Sequence, residues 1–87
     1  MFEIFYTPEA VKQLELIGKS DPKSARIIVE HIEKLPQTHP ADPLLKGHRF
    51  KGLKRNRAGK YRAIYRVLET ENKIHIITID FRKSIYD

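Results

Sequence analysis

Seven basic residues, Lys51, Lys54, Arg55, Arg57, Lys60, Arg62 and Arg66, fall within residues 51–66, and no Asp or Glu lies among them. Such a cluster suits an anionic partner, of which nucleic acid is the commonest. It also suits chemistry on RNA, which carries its own nucleophile, the 2′-hydroxyl beside each phosphate. A protein need only hold that phosphate in line, stabilise the added negative charge and move protons. The planar fork of Arg grips two phosphate oxygens. Lys or Tyr moves protons where neighbouring cations favour neutral lysine and tyrosinate. A metal-free ribonuclease can therefore be built from Lys, Arg and Tyr. An ordinary solvated strand face explains a single arginine well, and explains seven cations without an acid less well.

Other chemistries lack their residues. There is no P-loop, dinucleotide fingerprint or nucleophile elbow. His31, His39, His48 and His75 are not at metal-ligand spacing, so no metal and no cofactor is expected. His48 is the histidine nearest the basic stretch; His31 and His75 read as structural or surface residues. The absence of cysteine excludes disulfides and thiol catalysis and fits a reducing cytoplasm.

The net charge of +6 is unevenly divided. Residues 1–44 hold five Lys/Arg and seven Asp/Glu, whereas residues 45–87 hold twelve and four. The 87 residues fit one domain, 1–87, with a modest core. No apolar run approaches a membrane span, and "MFEIFYTPEAV" does not read as a signal peptide.

The cluster needs elements to position it. "FEIFY" (2–6) reads as a strand. In "TPEAVKQLELIG", Thr7 caps a helix, Pro8 opens it, Ala10, Val11, Leu14 and Ile17 form its apolar stripe, and Gly18 ends it. Asp21 and Pro22 open a second helix with Ala25, Ile28, Val29, Ile32 and Leu35 as its stripe, stopped at Pro36. The short "KSD" joint makes the two a helical hairpin. "PQTHPADP" is a Pro-rich connector. The period then changes to two: "HRFKGL" (48–53) is a weak strand, "YRAIYRVLE" (61–69) a strong one, and "KIHIITIDF" (73–81) another, apolar on both faces, with Glu69–Asn72 as the turn. The expected fold is α+β, a small antiparallel sheet in the order β-α-α-β-β-β with the helical hairpin on one face. Within 61–68, Tyr61, Ala63, Tyr65 and Val67 face the helices, and Arg62, Ile64, Arg66 and Leu68 face the open side.

"GKYRAIYRVLETENKIHIITIDFRKSIYD" resembles the C-terminal half of the RelE/ParE toxin superfamily. The family pattern has a leucine, a basic stretch, Gly-x-Tyr-Arg-x-x-Tyr, a β-hairpin and a terminal Arg-x-x-x-Tyr. It falls here on Leu53, Gly59, Tyr61, Arg62, Tyr65, Arg82 and Tyr86. The resemblance spans essentially the whole chain and implies the toxin of a type II toxin–antitoxin pair. Its RelE-like members are ribosome-dependent endoribonucleases that cut mRNA in the A site without metal, neutralised by an antitoxin such as RelB. Carried over, Arg62 binds the scissile phosphate, Arg82 is the second arginine, and Tyr86 stacks on an mRNA base. Lys54, or after it Arg55, takes the catalytic-lysine role, while Lys51, Arg57, Lys60 and Arg66 contact RNA. ParE-like members share the fold, lack the catalytic set and poison DNA gyrase. A basic module that only binds nucleic acid is the third reading.

Overall fold

The computed structural model describes residues 1–46 and 51–81. Strand β1 (Glu3–Tyr6) leads into helix α1 (Pro8–Ser20), helix α2 (Pro22–Glu33) and a short helix α3 (Leu35–Thr38). Strands β2 (Lys54–Ala58), β3 (Tyr61–Leu68) and β4 (Lys73–Phe81) follow. The sheet order is β1-β4-β3-β2. β2, β3 and β4 form the expected antiparallel meander. β1 joins it in parallel beside β4, so the sheet is mixed. The three helices between β1 and the meander are part of the long connection that a parallel pairing needs.

The helix starts follow the sequence. The Thr7 hydroxyl accepts from the Ala10 N–H at 3.1 Å, and an Asp21 carboxylate oxygen accepts from the Ser24 N–H at 3.2 Å. A second oxygen of Asp21 accepts from the Ser24 hydroxyl, and these bonds hold its carboxyl below the usual range. The helix ends differ from expectation. α1 runs through Gly18 to Ser20, so a single residue, Asp21, both closes α1 and caps α2. Pro36 does not terminate structure; it occupies the first turn of α3, where a missing N–H costs nothing. Val11, assigned above to the apolar stripe, is exposed.

Ala10, Ile28, Ile32 and Leu35 from the helices pack on Ala58, Ala63, Tyr65, Ile74, Ile76 and Ile79 from the sheet. Tyr61 and Val67 flank this core, so the face of β3 assigned to the helices does meet them.

β2 is not the expected strand over 48–53. Residues 47–50 lie outside the described residues, and Lys51 and Gly52 form a turn, Gly52 with φ +78°. The strand begins at Lys54, beyond that left-handed position. At its far end the two-residue turn Gly59–Lys60 leads into β3, with Gly59 at φ +62° as tight hairpins require.

β4 carries the feature that matters most for the open face. Ile64 pairs with Thr78, but the next residue, Tyr65, pairs with Ile76, which leaves Ile77 as an extra residue. This bulge reverses the alternation of β4. Ile74 and Ile76 face the helices before it, Ile79 after it. α1 and its cap pin the bulge: the Thr7 hydroxyl donates to the Ile77 carbonyl at 2.7 Å, and the Gln13 side-chain oxygen accepts from the Ile79 N–H at 2.7 Å and from the Thr78 hydroxyl at 2.9 Å. Gln13→Ala leaves that N–H without its acceptor and should cost about 1–3 kcal/mol. For a domain of this size each kcal/mol lowers the melting temperature by about 4–8 °C. Gln13→Glu, which keeps an acceptor, should recover most of the loss; equal melting temperatures for the alanine variant and the native chain would show that the bulge does not depend on this pin.

Candidate nucleic-acid interface

Cross-strand partners share a face, so the register sorts the basic residues. Asp80, Arg62 and Arg57 lie in one row across β4, β3 and β2. Thr78, Ile64 and Arg55 form the next row. Phe5, His75 and Arg66 form a third, across β1, β4 and β3. By register all three rows are on the face away from the helices, except that Thr78, beside the bulge, turns its hydroxyl to Gln13 of α1. Four arginines, Arg55, Arg57, Arg62 and Arg66, thus share one surface with Asp80 in their midst, while Glu3 lies at its far end in the row Glu3–Lys73–Leu68.

Arg62 is 2 % exposed, and its Nε donates to Asp80 Oδ1 at 3.2 Å. It is held rather than waving in solvent, in contrast to Arg66, which is exposed. Arg57, directly opposite Arg62, is exposed as well. Two directly opposed arginines repel each other, and Asp80 offsets part of that repulsion. Burial raises the Asp80 carboxyl above its ordinary value and outweighs the opposing pull of Arg62. Asp80 was not among the residues read from sequence. Its signal is the alternation of β4 corrected for the bulge: without Ile77 as an extra residue, Asp80 would fall on the helix side.

Lys54 is placed differently from its expected role. It pairs with Tyr65 and therefore lies on the helix-facing side of β2, where its Nζ donates to the His39 carbonyl. The sheet separates it from Arg62. Arg55, paired with Ile64, is on the face of Arg62, and Lys54 is not. Lys60 is at the hairpin tip, with Nζ 3.8 Å from Asp21 Oδ2, and Lys51 is exposed in the turn before β2. Arg82, Tyr86 and His48 lie outside the described residues. His39 is buried against Phe2, ring centroids 5.1 Å apart.

Tyr65 faces the core. Its hydroxyl donates to Asp42 Oδ2 at 2.5 Å, and burial, with that bond and the charge of Asp42, pushes its ionisation far up. It stays a neutral phenol and is no proton carrier near neutral pH. Its partner Asp42 also accepts from Asn56 Nδ2 at 3.0 Å, and Asn56 Oδ1 is 3.0 Å from His31 Nδ1. This chain of polar groups ties α2 and the connector to β2. Among the described residues no group of His, Asp and Glu is placed to hold a metal ion.

A family model described as the ParE toxin of the type II toxin–antitoxin system parDE matches residues 4–86. The chain belongs to that toxin family. Solved structures share its fold. The toxin–antitoxin complex RelBE2 of Mycobacterium tuberculosis matches with a TM-score of 0.78 at 23% identity, covering 93% of this chain and 98% of that one. A chromosomal ParDE system of P. aeruginosa gives 0.73 at 21%, covering 93% and 96%. The archaeal RelE–RelB complex of Pyrococcus horikoshii gives 0.69 at 24%, covering 95% and 97%. No curated protein sequence matches the chain. The toxin is thus a member of the RelE/ParE superfamily, and no described helix is long and apolar enough to cross a membrane.

Proposed function

We propose that this toxin is a ribosome-dependent endoribonuclease that cuts mRNA in the A site, in the cytoplasm, and is neutralised by a cognate RelB-like antitoxin. The observation that carries the reading is the row Asp80–Arg62–Arg57 on the sheet face away from the helices. A buried, oriented arginine beside an exposed one suits a phosphate whose charge grows in the transition state. In this reading Arg62 and Arg57 bind the scissile phosphate and Arg55 and Arg66 hold neighbouring phosphates. Arg82 and Tyr86 complete the set, and Lys51 and Lys60 contact RNA at the margins. Lys54 serves structure.

The reaction needs no metal. The 2′-oxygen bonds to phosphorus and gives its proton to the Asp80 carboxylate, whose raised affinity for protons suits a base. The bond from phosphorus to the 5′-oxygen of the next nucleotide breaks, and that oxygen takes a proton from water. A 2′,3′-cyclic phosphate and a 5′-hydroxyl result.

The second reading is inhibition of DNA gyrase without catalysis, and the match to a ParE family model favours it. Primer extension on mRNA in a translation extract separates the two. Discrete stops that need both ribosomes and toxin support the nuclease. Intact mRNA together with blocked DNA supercoiling supports the gyrase inhibitor and sinks the nuclease.

A further inference from the structure

A second basic feature lies around the edge of β2, on the helix side. A cleft of about 480 Å³ is lined by His31 and Lys34 of α2, Thr38 of α3, Asp42 and Pro43 of the connector, and Arg55, Asn56 and Arg57 of β2. A space of that size takes a nucleotide unit. Its lining is net positive, and the one carboxylate in it, Asp42, is already engaged by the Asn56 amide and the Tyr65 hydroxyl. The Asn56 side chain is nine-tenths buried and bonded at both ends, to His31 and to Asp42. That part of the lining is fixed before any ligand arrives. Lys34 is exposed at the rim.

We infer that this cleft is a phosphate subsite for single-stranded RNA, taking a phosphodiester of the strand that crosses the arginine face. Arg55 and Arg57 belong to that face by register and also line the cleft, so the two positive surfaces are continuous around the sheet edge. The two arginines are two residues apart on one strand, about 6.8 Å, and give the backbone successive cations to follow. Lys34 and His31 close the path from the helix side. The inference rests on the arginine face binding RNA, and the experiment below tells its failure from the failure of that reading.

The probe is fluorescein-labelled dodecauridylate, titrated with the full chain by fluorescence anisotropy across a range of salt. For single strands each neutralised phosphate contributes about 0.7 to the slope of log affinity against log salt. Lys34→Gln should lower affinity several-fold and reduce the slope by about 0.7. Lys19→Gln, on α1 and outside the cleft, should change neither. Arg66→Gln, on the open face, should lower both. If Lys34→Gln behaves like native protein while Arg66→Gln loses affinity, RNA stays on the open face and the subsite is wrong. If Arg66→Gln also has no effect, the RNA-binding reading of the face fails with it. If Lys34→Gln weakens a polyglutamate peptide but not the RNA, the cleft takes an acidic protein and the inference is overturned.

Discussion

Arg62→Lys should reduce ribosome-dependent mRNA cleavage by about 10²–10³-fold, the effect of removing one oriented donor from a charge-stabilising site. Lysine keeps the charge but loses the planar fork that spans two phosphate oxygens. It also keeps a cation beside Asp80, so the protein should remain folded by circular dichroism. Arg62→Ala is a different experiment. It removes a side chain that is 2 % exposed and strands the Asp80 carboxylate, 20 % exposed, without the guanidinium it pairs with. Breaking a buried pair on one side costs about 3–5 kcal/mol, a large share of the roughly 5–15 kcal/mol that hold a domain together. A urea melt of the alanine variant reads that loss separately from cleavage. Native-level stops in primer extension with Arg62→Lys would show that the fork does not act on the phosphate.

Asp80→Asn should lower cleavage by about 10²–10⁴-fold, the usual contribution of a positioned general base, and should remove the acid limb of the native pH–rate profile. Its stability tells an independent story. The folded-state carboxyl holds its proton more tightly than an unfolded one, because burial outweighs the attraction of Arg62. The stability Asp80 contributes is therefore fully present below the ordinary carboxylate range and declines as pH rises through the raised value. Asparagine cannot ionise and still offers an oxygen to Arg62 Nε. Relative to Asp80→Asn, native protein should gain urea resistance as pH falls from neutral to mildly acidic. The opposite trend, with native protein losing ground in acid, would mean that the ion pair dominates and that Asp80 is a poor base.

The two variants together discriminate between a charge-compensating and a catalytic role for the carboxylate. If Asp80→Asn keeps full cleavage while Arg62→Lys does not, Asp80 only orients the guanidinium, and the proton goes elsewhere. If both variants leave cleavage at native level, the arginine row serves binding alone.

Much of this was legible in the chain because it is local. Thr7, Pro8, Asp21 and Pro22 start their helices through bonds that reach three residues ahead. The alternation of Tyr61, Ala63, Tyr65 and Val67 with Arg62 and Arg66 fixes which residues of β3 face the helices, since successive strand residues point to opposite sides. The cation cluster and the family pattern around Gly59 and Arg62 are likewise properties of contiguous sequence. Tertiary structure decided what depends on distant partners. β1 pairs in parallel with a strand some seventy residues away. Lys54 and Arg55 are adjacent basic residues of which the sequence reading put Lys54 first, whereas the register of β2 on β3 sends Lys54 to the helices and Arg55 to the face of Arg62. Asp80 reaches that arginine because of a bulge at Ile77 held by Thr7 and by Gln13, the latter sixty-six positions before the amide it binds. A one-residue bulge leaves no periodic signature in "KIHIITIDF", where apolar residues occupy both faces; it forms because α1 presents acceptor and donor at the right height when it packs on the sheet.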